Sequence, residues 1–264
     1  MENETLIRLG VFIGLFLLFA ALEAWAPRRA RTQPRSRRWF TNWAIVIIDT
    51  LSLRALAIAM PALAVGAALD AQANGYGLLN ALEWPPLFEG LLAILFFDFA
   101  IWLQHLITHK LPLLWRLHRV HHADRDIDVT TAVRFHPLEI LLSMLLKIGL
   151  VYLLGPAAWA ILAFEVLLNG TAMFNHANLN LPRWLDALIR TVLVTPDMHR
   201  IHHSTRREEH DSNYGFALSL WDRIFGTYIA EPKGGEEALK TGLQWQDDRP
   251  ARLGWSLALP FFRD

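Results

Sequence analysis

The chain has 264 residues, 53% of them apolar, a formal net charge of zero and no cysteine. Zero net charge excludes the global basic field that nucleic-acid binding needs, so no nucleic-acid partner is expected. The missing cysteines exclude disulfides, thiolate metal sites and cysteine-ligated iron–sulfur clusters, so any electrons the protein uses arrive from elsewhere.

The apolar residues gather in runs near the length, about 20 residues, at which a helix crosses a bilayer. The first run, Leu6 to Trp25, has one early charge, Arg8, and continues LGVFIGLFLLFAALEAW. A cleaved signal peptide would have a stronger positive flank, a shorter apolar core and a small-residue site before Pro27. The run reads as a retained membrane helix. PRRARTQPRSRRWF follows, with Arg28, Arg29, Arg31, Arg35, Arg37 and Arg38. Arginines packed beside a span place this loop, 27–40, in the cytoplasm. A second run, Trp43 to Leu69, is interrupted by Asp49, Arg54 and Pro61; its charges belong near the cytoplasmic end or facing the bundle interior. Residues 70–86, DAQANGYGLLNALEWPP, lack Lys and Arg and are rich in turn formers, which suits a loop on the opposite side.

A third span, Leu87 to Leu103, returns the chain to the cytoplasm and delivers Asp98, His105 and His109. Two further runs, Leu138–Leu154 and Ala157–Phe174, are separated only by Gly155-Pro156 and read as a helical hairpin entered and left from one side. The organisation expected is therefore all-α: an integral membrane helical bundle with a cytoplasmic histidine-rich helical cap. Residues 1–104 hold the first three membrane helices and 105–230 a catalytic region that includes the membrane hairpin 138–174. Residues 231–264 form a tail whose end, GWSLALPFFRD, lies against the bilayer or packs on the catalytic region.

All eleven histidines fall between positions 105 and 210, on the side that the arginine loop assigns to the cytoplasm. His105 and His109 are an i, i+4 pair on one helix face, so both imidazoles can point at one metal. Asp98 lies on the same stripe; it orients a ligand from behind, binds metal itself, or is a buried polar residue bonded to a neighbouring helix. HRVHH carries His118, His121 and His122, and HRIHH carries His199, His202 and His203. In each triplet the adjacent imidazoles diverge by about 100° on a helix, so one triplet can feed two metals. Eight neutral imidazoles at a membrane border would leave many acceptor nitrogens to satisfy, which metal binding does together. His136 precedes Pro137 and Glu139, which suit the first turn of the hairpin, and His176 lies where the hairpin returns; both are further candidate ligands. His210, in REEHDSNYG, reads as a surface residue.

Imidazole suits zinc, copper, iron and nickel, and eight to ten ligands point to two metals. The zinc-protease motif HExxH is absent because Leu106 follows His105, and no GxSxG of a serine hydrolase occurs. A transporter would place ligands near the bilayer midplane. A redox metal at the membrane border suits attack on an unactivated C–H bond of a lipid chain.

The boxes HLITH at 105, HRVHH at 118, RFHPLE at 134, FNHANL at 174 and DMHRIHHS at 197, with DSNYG at 211 and LWDRIFGTY at 220, resemble the fatty acid hydroxylase/sterol desaturase superfamily, particularly its bacterial sterol desaturase-like members. That resemblance implies a non-haem di-iron centre with O2 as co-substrate, zinc being a possible substitute. It implies hydroxylation or desaturation of a fatty acyl or sterol-like lipid in a bacterial inner membrane. Electrons would come from an external donor of reductase, ferredoxin or cytochrome type. The ligand role falls on His105, His109, His118, His121, His122, His199, His202 and His203, with His136 and His176 in further boxes. Asp98, Asn178 and Asp197 are candidate supporting groups or additional ligands. The competing expectation is a di-zinc membrane metalloprotein, structural or hydrolytic.

Overall fold

In the computed structural model, which describes residues 4–59, 63–82 and 84–262, the chain is an all-α integral membrane bundle. Among the described residues there is no β-strand, only isolated bridges such as Pro27 with Leu179. Among the described residues five helices are long and apolar enough to cross a bilayer: α1 (Glu4–Trp25), α2 (Arg35–Ala59), α4 (Pro86–Lys110), α6 (Pro137–Leu154) and α7 (Ala158–His176). Their outward faces remain apolar, with Leu6 71% and Ile58 86% exposed, a surface that only lipid satisfies. Between α2 and α4 lies α3 (Ala64–Asn74). Short helices follow the spans: α5 (Pro112–His122), α8 (Arg183–Ile189), α9 (Pro196–His202), α10 (Arg207–His210), α11 (Leu220–Ile224) and α12 (Leu253–Ala258).

The helix ends follow local chemistry. Pro at the first position opens α4, α5, α6 and α9, where its missing N–H costs nothing. α6 ends at Gly155, whose φ of 68° is left-handed, and α7 begins after Pro156, so the hairpin expected from Gly155-Pro156 forms. Its closed end seats Gly77: a Cβ there would stand 2.3 Å from the Gly155 nitrogen. Leu78 N–H donates to Leu153 O at 3.1 Å beside it.

Two expectations change. The run from Trp43 to Leu69 is not one span: α2 starts at Arg35, inside the arginine loop, and α3 is a separate helix. Pro61 lies outside the described residues. Asp49 turns inward while Arg54 is exposed, so only one of that pair faces the bundle. Away from the histidines, the core joins α3, α4, α6 and α7. The small faces of Ala64, Ala67 and Ala68 let α3 approach closely, which is how helices gain dispersion contacts when lipid offers no hydrophobic drive.

The arginine loop is a brace. Arg38 donates to Asp124 at 2.7 Å and to Asp128 at 3.0 Å, all three buried. Arg28 reaches Asp197 at 3.1 Å, and Arg31 and Arg35 lie 3.8 and 4.0 Å from the buried Glu23 of α1. Asp124 is buried, which alone would raise its pKa, but the Arg38 guanidinium holds it well below the carboxylate range. Arg134 donates to Asn42, Val120 O, Pro250 O and Ser256, tying α2, α5 and the tail together. The tail thereby packs on the protein, with Leu259 buried against α5.

Candidate metal centre

Nine imidazoles converge at one end of the bundle, all buried, in two groups. His105, His109, His118, His122 and His202 form one; His121, His176, His199 and His203 form the other. Within each group the candidate ligand nitrogens lie within 4.8 Å of one another. Chain segments far apart supply them: the end of α4, the last turn of α5, the end of α7, and α9 with the residue after it. Each HxxHH triplet divides. His118 and His122 enter the first group and His121 the second, whereas His199 and His203 enter the second and His202 the first. The i, i+4 pair stays together, and the imidazole beside it in sequence turns to the other group.

Hydrogen bonds fix which ring nitrogen carries the proton. His105 Nδ1 lies 2.7 Å from Tyr214 O, His202 Nδ1 2.6 Å from Ser212 O, and His176 Nδ1 2.7 Å from Ala172 O. Carbonyl oxygens only accept, so each Nδ1 donates. His118 Nδ1 likewise meets the Glu139 carboxylate at 2.6 Å. The Nε2 lone pairs are thus left to face each other: His105 Nε2 stands 3.0 Å from both His118 Nε2 and His202 Nε2. In the second group His176 Nε2 is 3.0 Å from His199 Nε2 and 3.1 Å from His121 Nε2. Opposed lone pairs at this distance repel unless a cation sits among them. His122 has no hydrogen-bond partner for either ring nitrogen, and neither has His109, whose Nδ1 stands 3.5 Å from the Asp211 carboxylate. The donor set therefore fits two metal ions, and it is all nitrogen, which suits zinc, copper, iron or nickel. Backbone and carboxylate acceptors behind the ligands, as here, orient the rings and raise their basicity.

Protons do not compete well for these nitrogens. Burial first, then the neighbouring His176 and His118, holds His121 well below the ordinary imidazole value. Burial does the same for His122, His199 and His203, helped by their imidazole neighbours. It also does so for His202, although the Ser212 carbonyl opposes it. Lowering favours the neutral form of these five imidazoles, the form that binds metal.

Comparison with known proteins places this geometry. The family model described as fatty acid hydroxylase matches residues 90–227, just over half of the 264 residues. The chain belongs to the fatty acid hydroxylase family. All nine converging histidines fall inside the matched stretch. An ornithine lipid hydroxylase of Rhizobium tropici is 28% identical over 151 residues, which is 57% of this chain and 45% of the relative. The human alkylglycerol monooxygenase is 31% identical over 162 residues, 60% of this chain and 34% of the relative. The rat cholesterol 25-hydroxylase is 26% identical over 161 residues, 58% of this chain and 53% of the relative. The matched stretch thus spans about a third to a half of these relatives' own lengths. No solved structure matches.

The remaining sequence candidates of this fatty acid hydroxylase family member stand apart from both groups. His136 caps α6: its Nδ1 accepts from Leu138 N at 3.2 Å and its Nε2 faces Leu257 O at 3.2 Å. Its pKa is lowered by burial. Asp98 accepts from Trp221 Nε1 at 2.8 Å, the bonded, structural alternative for that residue. Asn178 exchanges two hydrogen bonds with the Arg29 backbone, and Asp197 pairs with Arg28 and Arg200. Both hold the arginine loop against the histidine region. His210, expected at the surface, is buried instead, because Trp115 stacks over it with ring centroids 5.1 Å apart. Sequence reasoning missed Glu139 as a partner of His118, having read it only as a helix-start residue. The clue was present: a carboxylate one turn into a helix that begins beside a histidine box. The carbonyls of Ser212 and Tyr214 had no such clue beyond the box DSNYG.

Proposed function

We propose that the chain is a membrane-bound lipid hydroxylase with a non-haem pair of iron ions. One ion is held by His105, His109, His118, His122 and His202, the other by His121, His176, His199 and His203. The observation that carries this reading is the convergence of nine buried imidazoles in two groups at the end of a cavity that runs between the membrane helices. When bound, the iron pair supplies the redox capacity to use O2 against an unactivated C–H bond, which no side chain has. Overall, RH, O2, two electrons and two protons give ROH and water. Desaturation of the same chain would consume the same reductant and leave an alkene. The relatives are hydroxylases and a monooxygenase, which favours the alcohol.

The protein's own groups bind and position. Ile101, Ile140, Met144 and Leu168 line the cavity and exclude water from the hydrocarbon chain. Phe216 packs with its ring centroid 4.9 Å from that of His105 and lines the cavity beside it. Glu139 and the carbonyls of Tyr214, Ser212 and Ala172 keep their imidazoles in one tautomer throughout. Without cysteine the chain cannot hold a cysteine-ligated iron–sulfur cluster, and a separate donor of reductase, ferredoxin or cytochrome type delivers the electrons. The histidine side faces the cytoplasm of a bacterial inner membrane, since the arginine loop lies at that end.

The test is metal analysis and oxygen consumption of the full chain purified in mild detergent. Two irons per chain, with O2 uptake that depends on a reductant and a lipid, are expected. Tightly held zinc with oxygen-independent turnover would replace this reading with a di-zinc hydrolytic one.

A further inference from the structure

A cavity of about 370 Å³ extends from His105 and His118 between α1, α2, α4, α6 and α7. That volume lies within the range of small-ligand pockets. It reaches Glu165, which precedes His176 by about three turns of α7, roughly 16 Å along the helix. Its walls are hydrocarbon in part, yet ionisable side chains line it at membrane depth, where such groups mark function by default.

Almost all of those groups are matched within the protein. Glu165 takes Lys147 at 2.7 Å and Arg8 at 2.5 Å, and Arg8 also pairs with Glu4. Two cations therefore meet two carboxylates, and this cluster offers no spare positive charge. Gln104 and Ser143 bond one another at 3.2 Å. The Thr50 hydroxyl donates to Val46 O and Asn169 donates to Glu165 O. Glu139 bonds His118 through one oxygen and leaves Oε2 without a partner, whereas Asp49 has no hydrogen bond through either oxygen among the described residues. It is 8% exposed and lines the cavity, its Oδ1 is buried without a partner, and no described residue donates a hydrogen bond to it. A carboxyl in apolar surroundings with no partner is strongly disfavoured, so something from outside the chain satisfies it.

The geometry points to a lipid that brings its own donor: a hydroxyl or amine hydrogen-bonds to Asp49 while the hydrocarbon part of the same molecule reaches His105 and His118. The inference rests on the hydroxylase reading for what happens at the histidines, but not for the binding. It narrows the substrate class to neutral or cationic amphiphiles. A plain alkane leaves Asp49 unmet. A fatty carboxylate brings negative charge to a wall that already holds Asp49 and Glu139, while Arg8 and Lys147 are committed elsewhere.

The experiment is equilibrium binding of tritiated C16 probes to the metal-free full chain in phosphatidylcholine nanodiscs, at matched mole fractions in the lipid. The probes are hexadecane, 1-hexadecanol, hexadecylamine and hexadecanoate. 1-Hexadecanol and hexadecylamine are expected to bind roughly tenfold more tightly than hexadecane, the size of one charge-assisted hydrogen bond, and hexadecanoate no better than the alkane. Asp49→Leu should bring the alcohol down to the alkane's level. Asp49→Asn, which keeps an acceptor oxygen, should retain the alcohol preference and lose much of the amine preference. Equal binding of hexadecane and 1-hexadecanol by the unmodified chain overturns the proposal, and that comparison holds even where the Leu variant does not fold. Unchanged alcohol preference in a folded Asp49→Leu also overturns it, whatever happens to turnover. Failure of the hydroxylase reading looks different: the preference persists, but the iron-loaded protein with 1-hexadecanol bound consumes no O2.

Discussion

At the scale of single residues, the division of each HxxHH triplet follows from helix geometry. His118 and His122 are one turn apart and lean to one side, whereas His121 is rotated by about 100° from His122. The spacing therefore made it legible that adjacent imidazoles part company. It left illegible which group each would join, because that depends on how α5 and α9 face each other across the site. His176 was one candidate among several in the sequence. In the structure it is the hub of its group, its Nε2 facing His199, His121 and His203 at 3.0, 3.1 and 3.3 Å. His136 looked equivalent in the sequence, yet a proline one position on turns it into a helix cap. Glu139, by contrast, reaches His118 at 2.6 Å and holds its ring. Partners of this kind affect metal affinity by about 10–100-fold. Glu139→Gln should therefore weaken binding of the proposed iron by roughly that factor, read by competition with a chromogenic chelator. His136→Ala should leave iron content unchanged. Equal affinity in Glu139→Gln, or iron loss in His136→Ala, would reverse these two assignments.

At the scale of elements, spans were easier to find than their ends. The helical hairpin was plain from Gly155-Pro156, a left-handed cap followed by a residue that cannot continue a helix. The start of α2 was hidden, because six arginines resemble a free loop until their acidic partners, such as Asp124 and Asp128, come in from elsewhere in the chain. The docking of Gly77 on the hairpin tip was equally hidden, being a contact between backbones far apart in sequence. Its energetics are simple. Gly77 has a φ of 94° and no room for a Cβ, which would fall 2.3 Å from Gly155 N and 2.7 Å from the Leu154 carbonyl carbon. Gly77→Ala should cost several kcal/mol, on the order of an overpacked core site with backbone strain added. That appears as a clear loss of thermal stability in detergent. Gly149→Ala, in mid-helix with nothing within 4 Å, should match the unmodified chain or exceed it slightly, since Ala is the better helix former. A Gly77→Ala protein as stable as the Gly149→Ala protein would mean that the tip is not seated against this loop.

At the scale of the whole molecule, the histidine end and the α3 end differ in charge, and that difference is the basis of the proposed orientation. The loop between α1 and α2 carries its arginines at the histidine end, while residues 70–86 at the hairpin tip have neither Lys nor Arg. Ion pairing of Arg28 and Arg38 with acids does not cancel this bias, because orientation follows the count of Lys and Arg in short loops rather than net charge. The absence of cysteine makes the consequence directly measurable, since single-cysteine variants carry no background. Ala30, in the arginine loop, and Ala73, near the end of α3, are both exposed. In an expressing bacterium, a membrane-impermeant maleimide added to inverted inner-membrane vesicles should label Ala30→Cys, and added to spheroplasts should label Ala73→Cys. The reverse pattern would put the histidines on the outer face, away from cytoplasmic reductants, and the proposed route of electron supply would fail with it. Labelling of both cysteines from one face would mean that α1 to α3 do not traverse the membrane as the bundle requires.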